Sequence, residues 1–199
     1  MKVKNYLIAL LVLSSCSDPS DETSKVAFDS TAHLKRDVDS VTPIARKPIV
    51  TENTTLQYAN QIISGQVKPS DNEQTFAWLD SLHSNNRDTR DFAFNVYRAI
   101  VIRSDGALSE AVCKYIKEYF ASHPKEFLDN YEVLNDQEKA LTNKSIAFEF
   151  YASGTDNASN LEGYFRKIEI SCTTCTQADK VVLKAIRSAL EEEIREMQK

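Results

Sequence analysis

The chain has 199 residues and a formal charge of −5, from 29 acids against 24 bases, with only four glycines and one tryptophan. Scattered bases outnumbered by acids exclude the concentrated basic face that a polyanion binder needs, so nucleic acid is not an expected partner, and electrostatic adhesion to anionic lipid is disfavoured equally. The abundance of Leu, Ala, Phe, Tyr, Glu and Lys favours helix over sheet, and the length suits one domain with a proper core, typically ~100–150 residues.

At the N-terminus, Met1-Lys2-Val3-Lys4-Asn5 is cationic, residues 6–13 are apolar, and Ser14 and Ser15 are the small residues that precede a cleavage point. This is the order of a secretory signal. The apolar run is far short of the ~20 residues a helix needs to cross a bilayer. Leu13-Ser14-Ser15-Cys16 resembles the lipobox of bacterial lipoproteins. The resemblance covers only about the first 16 residues. It implies removal of residues 1–15, diacylation of the Cys16 thiol, acylation of the new amino group by palmitate-like chains, and anchoring to the outer membrane of a cell envelope. Whether the periplasmic or the outer surface carries the domain stays open. Each buried CH2 contributes ~0.8 kcal/mol; one chain binds marginally and two or more hold firmly. Cleavage removes Lys2 and Lys4 and no acid, moving the formal charge from −5 to −7.

Residues 16–51 are rich in Ser, Thr, Asp and Pro and lack a sustained apolar period. Such a stretch buries too little apolar surface to offset the entropy of ordering, so a disordered tether is expected, spanning roughly 30–35 Å end to end. Asp18, Asp21 and Glu22 resemble the acidic export signal of some surface lipoproteins, with a plain solvated linker as the alternative. Asp29-Ser30-Thr31 and Asp39-Ser40-Val41 resemble an O-glycan acceptor motif of certain periplasmic proteins.

Residues 52–199 are expected to form one all-α domain of about seven helices, a bundle or a short α-solenoid. The first helix, 52–64, places Leu56, Ala59, Ile62 and Ile63 at helical spacing and stops at Gly65. Ser70 to Glu73 resembles a capping box opening a helix to about Leu82. A third helix spans 88–102, and a fourth carries the stripe Leu108, Ala111, Val112, Tyr115, Ile116, Tyr119 and Phe120. Pro124 suits the first turn of a short helix, and Asn135 to Glu138 opens a run to Tyr151. Within 161–170 an alternating pattern, Tyr164, Arg166, Ile168 and Ile170, competes with a helical one, Leu161, Phe165 and Ile168; the helical surroundings favour the latter. The last helix, 177–197, has Val181, Val182, Ala185, Ile186, Ala189, Leu190, Ile194 and Met197 on one broad face, with Glu191 four residues before Arg195. No segment repeats against another.

Cys172-Thr173-Thr174-Cys175 is the one constellation with reactive character. A thiol at a helix N-terminus has a lowered pKa, which is how a thioredoxin-like site works. Only one helix follows here, and the flanking Trp, Gly or Pro of that motif are missing. The structural alternative is a disulfide in an oxidising envelope, between Cys172 and Cys175 or from one of them to Cys113. With Cys16 acylated, three thiols remain and one is left over; a buried Cys113 behaving as an apolar residue fits that count. Thr176 stands where a haem site requires His, and no second pair completes a zinc site. His33, His83 and His123 show no ligand spacing, so neither metal nor cofactor is expected. Phosphate-binding glycine loops, HExxH and GxSxG are absent, so no catalytic residue is assigned.

Tyr115, Tyr119, Phe120, Phe127 and Tyr131 recur at helical spacing, where they form either core or the lining of a peptide groove. A lipid-anchored, non-enzymatic module binding another envelope protein or a peptide is the leading expectation. An envelope thiol-redox protein using Cys172 and Cys175 is the alternative.

Overall fold

The computed structural model describes residues 52–104, 106–154 and 157–199. Cys16, the signal segment, the tether and its acidic and Asp-Ser motifs lie outside the described residues. Among the described residues the protein is all-α, with eight helices, one short 3-10 turn and no strand.

Helix α1 (Glu52–Ile63) buries Ala59 and Ile62 but leaves Leu56 and Ile63 exposed, so only half of its apolar stripe faces the core. It stops at Gly65, whose φ of +77° lies in the left-handed region. An added Cβ there would also stand 3.2 Å from the Arg103 guanidinium, which itself donates to the Ile62 carbonyl at 2.7 Å. A side chain from 41 residues away thus finishes the C-terminus of α1.

Helix α2 (Glu73–Asp80) corrects one expectation: its N-cap is Asn72, not Ser70. Asn72 Oδ1 accepts from the Thr75 amide at 2.9 Å, while its Nδ2 donates to Ser70 Oγ and to the Tyr58 hydroxyl, both at 2.8 Å. The amide can accept at the helix end and donate backwards together, which a serine hydroxyl does less well. The chain continues through a 3-10 turn, Ser81–His83, that buries Leu82.

Helix α3 (Arg87–Arg103) buries Ala93, Phe94, Val96, Tyr97, Ala99, Ile100 and Val101, and α4 (Gly106–Ser122) buries Leu108, Val112, Ile116, Tyr119 and Phe120. Helix α5 (Pro124–Glu132) begins on the expected proline, and α6 (Asp136–Ala152) on a full capping box between Asn135 and Glu138. Helix α7 (Asn157–Ser171) resolves the ambiguous segment: Leu161, Phe165 and Ile168 are buried and Ile170 is exposed, so the 3.6-residue period wins over alternation.

Helix α8 (Gln177–Met197) has the expected span, but its buried stripe is Asp179, Leu183, Ile186, Leu190 and Ile194, turned away from Val181. Glu191 pairs with Arg187 instead of Arg195, and Arg195 pairs with Glu192. Helix α6 packs most extensively, against α4 on one side and α8 on the other, while α1 and α2 pack on α3. Tyrosines in this interior keep hydrogen bonds: Tyr97 donates to Thr142 Oγ1 at 3.1 Å and Tyr164 to the Lys117 carbonyl at 2.7 Å.

Candidate functional site

Tyr119, Phe120 and Phe127 are fully buried, Tyr131 nearly so, and Tyr115 is half-buried. Phe120 stacks on Phe127 at 4.0 Å between ring centroids, and Phe127 on Tyr131 at 5.7 Å. These aromatics fill the space between α4, α5 and the helices packed on them and line no open groove. The physical reason is that three other helices cover them: Phe94 of α3 meets Tyr119 and Phe127 at 5.9 and 6.5 Å, Asn143 of α6 bonds the Tyr131 hydroxyl, and Phe165 of α7 meets Phe120 edge-on at 6.1 Å. Of the histidines among the described residues, His83 closes the 3-10 turn and His123 precedes α5; no group of three or more His, Cys, Asp or Glu there is placed to hold a metal ion.

Two surface recesses carry chemistry instead. The first, a trough of about 500 Å³, is floored by α1 and α3 and bounded by α6. Ile63 and Ile102, 37% and 39% exposed, supply its aliphatic surface together with Phe92 and Ala99. Phe92 is held edge-on by Trp78 at 4.9 Å, and the Trp78 indole N–H donates to the Thr55 carbonyl at 3.0 Å. The polar rim is equally fixed. Arg98 forms two parallel bonds to the Glu138 carboxylate at 3.1 and 3.0 Å, and Glu138 also accepts from the Asn135 amide at 2.9 Å. Burial by itself would raise the Glu138 pKa, but the Arg98 and Asn135 bonds outweigh it and hold the carboxyl below its ordinary range. Arg103, bound to the α1 carbonyls, completes a rim with more cation than anion. Sequence periodicity marks Ile63 only as another apolar position, and nothing in the sequence distinguishes it from Ile62.

The second recess, of about 270 Å³, lies where the N-termini of α3 and α5 meet the α7–α8 joint. Cys172 and Cys175 are disulfide-bonded there, with Cα atoms 5.3 Å apart, and Cys113 is a free, buried thiol. That pairing selects one of the expected connectivities. Cys172 continues the α7 ladder through its amide to the Ile168 carbonyl at 2.9 Å, and the Cys175 amide donates to the Cys172 carbonyl at 3.2 Å. Thr176 then caps α8 in a reciprocal box with Asp179. Lys125 ties this joint to α5, donating to Asp179 at 3.2 Å. The Asp179 carboxyl sits below its usual pKa, first because the Thr176 amide donates to it, with Lys125 adding to the effect.

Arg87, His123, Lys125 and Glu126 also line this recess. Glu126 accepts from Arg90 Nε and Nη2 at 2.9 and 2.7 Å and from the Tyr119 hydroxyl at 2.8 Å. Burial opposes its ionisation, yet these donors hold its pKa below the ordinary value. Burial, with the same carboxylate adding to it, pushes the Tyr119 phenol up. Burial and the Arg90 charge lower the pKa of His123, leaving Arg87 and Lys125 as the cations of the recess at neutral pH. The salt bridges at Arg90 and Arg98 join residues 36 and 40 positions apart, so no local pattern announces them.

Among the described residues no helix is long and apolar enough to cross a membrane. No known protein family, no curated protein and no solved structure matches this chain.

Proposed function

We propose that this chain is a lipid-anchored protein of the bacterial cell envelope whose helical domain binds a segment of another envelope protein in the trough between α1 and α3. The exposed pair Ile63 and Ile102, set on a floor that is already immobilised, is the observation that carries this reading. Phe92, Arg98 and Arg103 are each held by other parts of the fold, so a partner would not have to order them. Covering the remaining exposed area of each isoleucine would contribute roughly 1.5 kcal/mol. The rim chemistry selects the partner: aliphatic side chains for the trough, with a carboxylate beside them for Arg103, whose guanidinium meets only backbone carbonyls while Arg98 is paired with Glu138. Acylation at Cys16, and the tether from 16 to 51, would keep the domain at the membrane while leaving it free to reach its partner.

A photo-crosslinking residue placed at Ile102, with a control at exposed Lys184 on α8, tests the proposal in intact membranes. A discrete product at Ile102, mapped to an aliphatic segment flanked by carboxylates and lost in Ile63→Asp, is expected. Identical products at both positions, or a product mapped to a basic segment, would refute it. For the anchor, globomycin should accumulate the unprocessed chain; a Cys16→Ala protein with unchanged membrane fractionation would remove that part of the proposal.

A further inference from the structure

The two sulfurs of the Cys172–Cys175 bond stand in different surroundings. Cys172 is 9% exposed, ends the α7 ladder and lines the recess that holds Arg87, Lys125, Glu126 and Asp129. Cys175 is more open and lies one residue before the N-cap Thr176 of a 21-residue helix. That asymmetry decides which sulfur an incoming thiolate can reach and which one leaves. The greater exposure of Cys175 favours attack there, which makes Cys172 the sulfur that leaves.

We propose that Cys172 and Cys175 form a redox-active pair that takes two electrons from a dithiol donor, a function separate from the α1–α3 trough. A thiolate of the donor attacks Sγ of Cys175. A sulfur–sulfur bond forms between donor and Cys175, the Cys172–Cys175 bond breaks, and its electron pair leaves on Cys172 as a thiolate. The donor's second thiol gives its proton to solvent and attacks its own sulfur in the mixed disulfide. Cys175 departs as a thiolate, and both protein thiolates take up protons from solvent. The donor ends as a disulfide and the pair as two thiols. Cys113 takes no part: it lies in a different recess, its Sγ donates to the Ser109 carbonyl at 3.0 Å, and burial pushes its pKa up to about 11.

The test uses the full chain in detergent with dithiothreitol as the donor, quenching with acid and counting thiols by maleimide mass-labelling. In native buffer the pair should be reduced at least as fast as in the same chain unfolded by guanidinium, with Cys113 unlabelled until unfolding. Native reduction slower than in the unfolded chain overturns the proposal, because a purely structural disulfide is shielded by folding. The direction of attack is read separately with glutathione disulfide. Cys172→Ser should form a mixed disulfide on Cys175 about tenfold faster than Cys175→Ser forms one on Cys172, given the dependence of exchange on access. Equal rates, or the reverse order, overturn the assignment of roles. The wild-type rate comparison does not depend on either variant folding.

Discussion

Replacing Glu126 by leucine removes the partner of a guanidinium that has almost no access to water. Arg90 is 8% exposed and Glu126 9% exposed, and their two bonds of 2.9 and 2.7 Å have the parallel geometry of a bidentate pair. In Glu126→Leu, Arg90 keeps its 2.7 Å bond to the Ser84 carbonyl, and the Tyr119 hydroxyl keeps the Asn130 amide at 3.1 Å but loses its acceptor. Breaking one side of a buried pair costs about 3–5 kcal/mol, because a charge is left buried without compensation. Against a typical domain stability of ~5–15 kcal/mol this is a large fraction, and it corresponds to a fall in Tm on the order of 10 °C for a domain of this size. Guanidinium melts followed by far-UV circular dichroism and Trp78 fluorescence measure it. The double variant Arg90→Met/Glu126→Leu should recover to within about 1 kcal/mol of wild type, since apolar residues of similar volume commonly replace a buried pair at little cost. A single-variant cost below about 1 kcal/mol would refute a formed, buried pair. A double variant as unstable as Glu126→Leu alone would refute uncompensated charge as the cause.

The pH dependence of stability follows from Glu126, Glu138 and Asp179, whose carboxyls lie below ordinary values of 4.5, 4.5 and 3.8. Because their folded pKa values lie below the unfolded ones, the stability they contribute is complete above the unfolded values and is lost as pH falls through the folded ones. Denaturant midpoints should therefore show a shallow loss setting in below about pH 6.5, from the lowered pKa of His123, and a steeper one below about pH 4, reduced in Glu126→Gln; a steep fall already complete by about pH 5 would contradict this. Gly65→Ala must adopt a φ of +77° with its Cβ against Arg103, and should cost roughly 1–2 kcal/mol by chemical denaturation. Gly65→Asn should cost less, because asparagine tolerates the left-handed region better; an alanine variant as stable as wild type would show that the turn has another conformation.

The trough and the disulfide recess divide the surface chemistry of the domain. The trough is apolar with a cationic rim and no group poised for proton or electron transfer. The recess is polar, and its disulfide is the one bond there that can be broken and remade under mild conditions. The proposed binding in the first and the proposed thiol exchange in the second make separate demands, and their two tests read them independently.

What the amino-acid order determines by itself is whatever lies within one or two turns of helix. Pro124 starts α5, Asn135 and Glu138 cap each other, and Leu161, Phe165 and Ile168 carry α7 through a segment that also reads as a strand, because these interactions join residues at most four apart. Even the misplaced N-cap at Ser70 errs by two residues, since Asn72 competes for the same helix end with a side chain that can donate as well as accept. Tertiary structure decides everything that depends on what covers a face. A helical period shows that Tyr119, Phe120 and Phe127 can share a surface, but only the packing of α3 and α7 over it makes that surface core instead of groove. The same period leaves Ile62 and Ile63 alike, and only the placement of α3 buries one and exposes the other. Arg90 with Glu126, Arg98 with Glu138 and Arg103 with the end of α1 are all set in the same way. The ion pairs and the Arg103 cap join groups 36 to 41 residues apart, a separation at which spacing in the chain carries no directional information until the helices have packed.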